Sequence, residues 1–157
     1  MKFSDFFVGE AVVPELQAKD RNGVIRELVA SLAAAGKIDE ANVEAVTKAV
    51  IKRENAGSTG FGRGVAVPHE KLKSISDMVA TIGLSSAGVD FAALDRAPVY
   101  SVVLLLSPAD NPDQHLAAME NIFRQLQRDS FRRFLRQATT REEIVDLVQE
   151  VDDLPDG

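Results

Sequence analysis

"VYSVVLLL", residues 99 to 106, is the stretch whose reading decides the fold. It carries no charge and shows no alternation of polar with apolar side chains, so it is apolar on both faces. A strand of that kind sits centrally in a sheet covered on both sides. We therefore expect a strand from Pro98 to Leu106 and work outward from it. Upstream, Met78 to Leu84 forms a second long strand candidate, and "GVDFAALDRAP" between the two reads as a loop. Further back, Val65-Ala66-Val67 is a short third candidate ended by Pro68, which has no N–H to give a ladder.

Helical signals lie on either side of this block. Asp20 is placed to cap a helix with apolar residues at Val24, Ile25, Leu28, Val29 and Leu32, and Gly36 ends it. Asp39 starts a second helix, which buries Val43, Val46 and Val50 and runs to about Asn55. Downstream, Asn111-Pro112-Asp113-Gln114 opens a helix to about Gln127. A short helix follows from Ser130 and a last one from Thr140 to Val151. A short extended piece is expected around Ala11 to Val13, and the tail "DDLPDG" is expected to fray. The pattern predicts one α/β domain over residues 1–157, with its core at about 5–151: a central mixed β-sheet flanked by helices on both sides.

The 157 residues contain no cysteine, which excludes disulfides, thiolate metal sites and a cysteine nucleophile and fits a reducing cytoplasm. No apolar run reaches the ~18–20 residues of a membrane span, and "MKFSDFFVGE" lacks a signal-peptide core, so no membrane insertion is expected. The net charge of −6 argues against a nucleic-acid partner. One segment opposes that balance. Arg124, Arg128, Arg132 and Arg136 recur every four residues, with Arg133 and Arg141 nearby. Asp129-Ser130 reads as a helix start that breaks this stripe, so a solvated face is expected, with a docking patch for an acidic protein as the alternative.

"GSTGFGRGVAVPHEK", residues 57 to 71, places four glycines in eight residues ahead of one of the two histidines. Gly60, Gly62 and Gly64 form neither a dinucleotide fingerprint nor a P-loop, and alone they read as a flexible turn. Val67 precedes a proline and is held extended, so His69 should be presented at the lip of the sheet, one residue past a strand end. The second histidine, His115, falls in the first turn of a helix capped by Asn111 with Pro112 at its first position. It extends the buried stripe of Met119, Ile122 and Leu126. A helix N-terminus favours neutral imidazole and attracts anions. Arg53 ends the second helix, where it complements the helix dipole, and its fork suits a phosphoryl group. Two histidines and an arginine, without carboxylates at ligand spacing, make a poor metal site and a reasonable phosphate site. No metal or cofactor is expected.

In order along the chain stand Arg53-Glu54, Ser58-Thr59-Gly60, Gly64-Val65-Ala66-Val67-Pro68-His69 and His115-Leu116. This set resembles the fructose/mannitol type of enzyme IIA in the bacterial sugar phosphotransferase system, a family that includes the free-standing nitrogen-regulatory enzyme. The resemblance spans roughly Val13 to Val151. It implies a cytoplasmic phosphocarrier in which His69 accepts a phosphoryl group from HPr or an HPr-like protein. The group then passes to an enzyme IIB, or its presence is read by a regulatory target. Arg53 and His115 would meet the developing charge, and Thr59 would add a hydroxyl donor. The main alternative is a regulatory binding module that engages a kinase, transporter or transcription factor without onward transfer; a metal-assisted hydrolase is disfavoured. Lack of cysteine implies no enzyme IIB domain of the phosphocysteine type. Two positions depart from the family pattern: Glu70 stands where a small residue is usual and Arg63 where a neutral one is common. Glu70 is expected to face away from His69, with Lys71 as its partner.

Overall fold

The computed structural model describes residues 1–154. The decisive stretch forms β5, Val99–Pro108, and the five residues from Val102 to Leu106 are fully buried. Its side chains alternate between two cores. Val102, Leu104 and Leu106 meet Ile25, Leu28 and Leu32 of α1 (Arg21–Ala34) and Val46 and Val50 of α2 (Val43–Ala56). Val103 and Leu105 meet Ala118, Ile122 and Leu126 of α3 (Pro112–Leu126), Phe131 and Leu135 of α4 (Asp129–Gln137), and Ile144 and Val148 of α5 (Arg141–Asp152). Burying each of these side chains larger than alanine contributes roughly 1.5–3 kcal/mol. The strand is thus apolar throughout because both of its faces are covered by helices.

The sheet is mixed. β4, Val79–Val89, lies antiparallel along the whole of β5 and occupies one of its edges. On the other edge run β2 (Val65–Ala66) and β3 (His69–Leu72), both parallel to β5 and in one register: Val65 opposite Ser101, Ala66 opposite Val102, His69 opposite Leu105. They are one strand interrupted at Val67-Pro68. Pro68 still accepts a hydrogen bond from the Leu105 N–H at 3.0 Å but has none to donate. β1, Gly60–Gly62, pairs antiparallel with β2.

The helices follow their sequence signals. Asp20 accepts from the Gly23 N–H and Thr140 from the Glu143 N–H, so both act as N-caps. Asn111 accepts from the Gln114 N–H, while the Gln114 side chain returns to the Asn111 amide rather than to its backbone.

Several expectations are corrected. The glycine-rich loop is a β-hairpin whose two turn residues, Arg63 and Gly64, both have positive φ (61° and 77°). This is the signature of a type I′ turn, which matches the twist of the flanking strands. His69 begins a strand instead of following one, because the chain re-enters the ladder after Pro68. β4 runs on to Val89, so Gly88 and Val89 leave the expected loop; a bulge with Gly88 at φ 86° permits the extension. Ala11 lies in a 3₁₀ turn, Gly9–Ala11, with Val13 alone bridging to Gly83. Asp39 caps a 3₁₀ turn, Glu40–Asn42, before α2 begins. Asp152 does not fray. It closes α5, and its carboxylate accepts from the Phe3 and Ser4 N–H groups at 2.7 and 2.8 Å. Residues 155–157 of the expected tail lie outside the described residues.

Candidate functional site

Alternation along the interrupted strand puts Val65, Val67 and His69 on the face that α3 covers. The register with Leu105 brings His69 beside the start of α3, where His115 sits. The two imidazole centroids lie 5.5 Å apart with the rings tilted by 44°.

Each ring is fixed by one nitrogen. His69 Nδ1 lies 2.7 Å from the Val67 carbonyl, which only accepts, so Nδ1 carries the proton and Nε2 holds the lone pair in the neutral ring. The ring is partly exposed. Desolvation lowers its pKa and the Val67 bond opposes that; the Arg53 charge lowers it further, and Glu54 and Glu70 act in the raising direction. His115 is buried, and its Nδ1 lies 2.7 Å from Ser107 Oγ at the end of β5. Burial first, then the neighbouring His69 and Lys71, push its pKa down to about 4. Both imidazoles are therefore neutral near pH 7.

Arg53 stands in the last turn of α2, and its Nη1 donates to the Gly57 carbonyl at 2.9 Å. That bond ties the end of the helix to the start of the hairpin segment. Next to it Glu54 is buried. Its two oxygens accept from the Thr59 N–H and the Thr59 hydroxyl, each at 2.7 Å. Thr59, expected to offer its hydroxyl to a phosphoryl group, gives that proton to Glu54 instead. Glu70 alternates to the opposite face from His69 and raises its pKa only weakly. Its carboxylate accepts from the Lys71 backbone N–H at 2.8 Å rather than from the Lys71 ammonium.

His69, His115 and the Arg53 charge thus converge. Sequence reasoning missed two members of this group. Ser107 is completely buried and orients His115; the signal is a hydroxyl closing the aliphatic run Val102 to Leu106, eight residues before that histidine. Glu54 belongs to the Arg53-Glu54 pair of the motif, and nothing in the sequence pattern marks it as the acceptor that holds Thr59.

The arrangement offers a nitrogen lone pair on a fixed, partly exposed ring, a second neutral ring within reach and a nearby guanidinium. Such a site suits a group that brings negative charge to Nε2. Among the described residues no helix is long and apolar enough to cross a membrane.

Comparison with known proteins places the chain in a family and a fold. The chain is 35% identical over 127 residues to a nitrogen regulatory protein of Pseudomonas aeruginosa, covering 81% of this chain and 82% of that protein. It is 30% identical over 152 residues to the fructose-specific EIIABC component of the sugar phosphotransferase system of Bacillus subtilis, where it spans 97% of its own length but only 24% of that longer protein. In fold it is similar to the nitrogen regulatory protein IIA-Ntr of Neisseria meningitidis, with a TM-score of 0.81 at 23% identity over 92% of this chain and 97% of that one. It is also similar to enzyme IIA of mannitol from Escherichia coli, solved in complex with phosphorylated enzyme IIB, with a TM-score of 0.72 at 19% identity over 92% and 99%. The family profile for EIIA 2 of the phosphoenolpyruvate-dependent sugar phosphotransferase system matches residues 5–151, and with the curated relatives it shows that the chain belongs to that family.

Proposed function

We propose that the protein is a phosphocarrier whose acceptor atom is Nε2 of His69. The observation that carries this reading is the bond from His69 Nδ1–H to the Val67 carbonyl, which leaves the lone pair of Nε2 free on a partly exposed ring. In the transfer, the Nε2 lone pair forms a bond to the phosphorus of an incoming phosphohistidine. The donor's P–N bond breaks, and its electron pair stays with the donor nitrogen. His69 keeps its Nδ1 proton, so the phosphorylated ring is cationic and is a good leaving group for onward transfer.

Arg53 opposes the negative charge that arrives with the group. His115 donates from Nε2–H to a phosphoryl oxygen, which requires that its Nδ1 accept from the Ser107 hydroxyl; Ser107 is then a positioning residue. Thr59 supports the site through Glu54. The donor is HPr or an HPr-like protein, and the recipient is an enzyme IIB or a regulatory target, all within the cytoplasm. The names of the relatives support both routes, since they include sugar-specific components and nitrogen regulatory proteins.

The test is incubation with enzyme I, HPr and phosphoenolpyruvate, followed by intact mass measurement. An acid-labile gain of one phosphoryl group, lost in His69→Ala, is expected; no gain, or a gain that survives His69→Ala, overturns the reading. Onward transfer to an enzyme IIB cysteine separates the transport route from the purely regulatory one.

A further inference from the structure

The segment that opposes the chain's acidic balance builds a cleft at the far end of β5 from the histidines. It is an open cleft of about 490 Å³ lined by Arg63, Arg132, Arg133 and Arg136, and Arg136 in turn stacks on Tyr100. Small-molecule sites typically fall within roughly 300–1,000 Å³.

That stack is rigid. The Tyr100 ring packs so closely over the backbone of two glycines that a Cβ on Gly64 or Gly88 would approach it to 3.2 or 3.0 Å. The Tyr100 N–H donates to the Gly64 carbonyl at 2.8 Å. The Arg136 guanidinium lies over the ring, 3.6 Å from its centroid. Such stacking holds a planar cation without neutralising it.

The charge is uncompensated. Among the described residues the only acid lining the cleft is Asp129, and it is engaged by Arg132, whose Nη1 also donates to the Leu126 carbonyl at 2.7 Å. Among the described residues Arg63, Arg133 and Arg136 form no ion pair. Arg133 rests over the Phe134 ring. Asp95 lies against the outside of the hairpin, where it accepts from the Arg63 backbone N–H and not from its guanidinium. Four guanidiniums against one carboxylate leave three positive charges in a protein whose net charge is −6. Arg63 also holds the left-handed backbone at φ 61°, a conformation glycine adopts freely and a side chain adopts at a cost of about 1 kcal/mol. Strain of this kind tends to gather where a ligand is held.

We propose that this cleft binds a small anion carrying two or more phosphoryl groups. Planar forks match phosphoryl oxygens in pairs, and three positive charges match a di- or triphosphate better than a single carboxylate. The Tyr100 face is already covered by Arg136, so recognition runs through the phosphoryl groups and not through a stacked base. The site is independent of the phosphocarrier reading, because it shares no residue with the histidine pair.

The probe is inorganic tripolyphosphate, titrated calorimetrically at low salt and followed by backbone amide shifts. Saturable binding that shifts Gly64 and Ser101 is expected. Arg133→Gln should weaken it about tenfold, Arg63→Gly should weaken it measurably, and His69→Ala should leave it unchanged. Arg133 makes no structural hydrogen bond, so its variant tests the charge without threatening the fold. Absence of binding, shifts centred on His69 and His115, or indifference to Arg133→Gln each overturns the proposal. So does saturable binding of an octaglutamate peptide in place of tripolyphosphate, which would mark the cleft as a protein docking surface.

Discussion

The two ends of β5 handle anions by opposite means. At its C-terminal end, beside Leu105 and Ser107, two imidazoles are desolvated, held by one nitrogen each and kept neutral. At its N-terminal end, beside Val99 to Ser101, guanidiniums that cannot lose their charge stand in an open cleft. A group that must form and break a bond to nitrogen needs a free lone pair, hence neutrality. A group that has only to hold an anion needs permanent charge. The same strand carries both ends because its interior, Val102 to Leu106, is an inert aliphatic spacer.

The largest expected effect breaks the first end. His115→Ala should slow phosphoryl acceptance by His69 about 10²–10³-fold, the loss typical of one donor to a developing anion. Single-turnover transfer from phosphorylated HPr measures it, and a change below threefold would mean that the second ring does not help. Next is pH. The folded His115 titrates near 4 against an unfolded 6.5, so the unfolded chain binds its proton first. Stability from this residue is complete above about pH 6.5, falls as pH drops and is gone below about 4. The full difference is at most about 3 kcal/mol. Urea midpoints of the native chain and of His115→Phe should converge across that window; parallel curves would contradict the assignment.

Glu54→Gln leaves one of the two Thr59 donors without an acceptor. It should cost about 1–3 kcal/mol of stability while leaving tripolyphosphate binding untouched, which keeps the two ends separable. The smallest effect is Arg63→Gly. Relief of the left-handed backbone should hold or raise stability by up to about 1 kcal/mol, with phosphoryl acceptance unaffected. A clear loss of stability would show that the Arg63 side chain supports the fold.

What the sequence made legible follows from how local each signal is. The run from Val99 to Leu106 announced its own central burial, and Asp20, Asn111 and Thr140 announced their helices, because capping and two-sided apolarity are properties of neighbouring residues. His69, Arg53 and His115 were legible as a set through their ordered motifs. The hairpin was not. Its turn uses Arg-Gly where Asn-Gly would have signalled a type I′ geometry, and its strands are too short and glycine-rich to show alternation. The partnerships of Ser107 with His115 and of Glu54 with Thr59 were equally hidden. They arise when β5 and α2 are brought against other elements, and no local pattern encodes a side chain's partner across the fold. The arginine cleft shows the same limit, since the stripe reads as solvated surface until the hairpin residues Arg63 and Gly64 close one side of it.

The break at Pro68 has one more consequence. Because the Pro68 carbonyl points toward Leu105, the Val67 carbonyl points away from β5, at a stretch of rim that β1 no longer covers. An open carbonyl on a strand rim invites a foreign chain to add itself. Here the ring of His69 folds back onto that oxygen. The side chain that presents the reactive nitrogen is therefore also the latch that keeps this margin of the sheet from recruiting a neighbour.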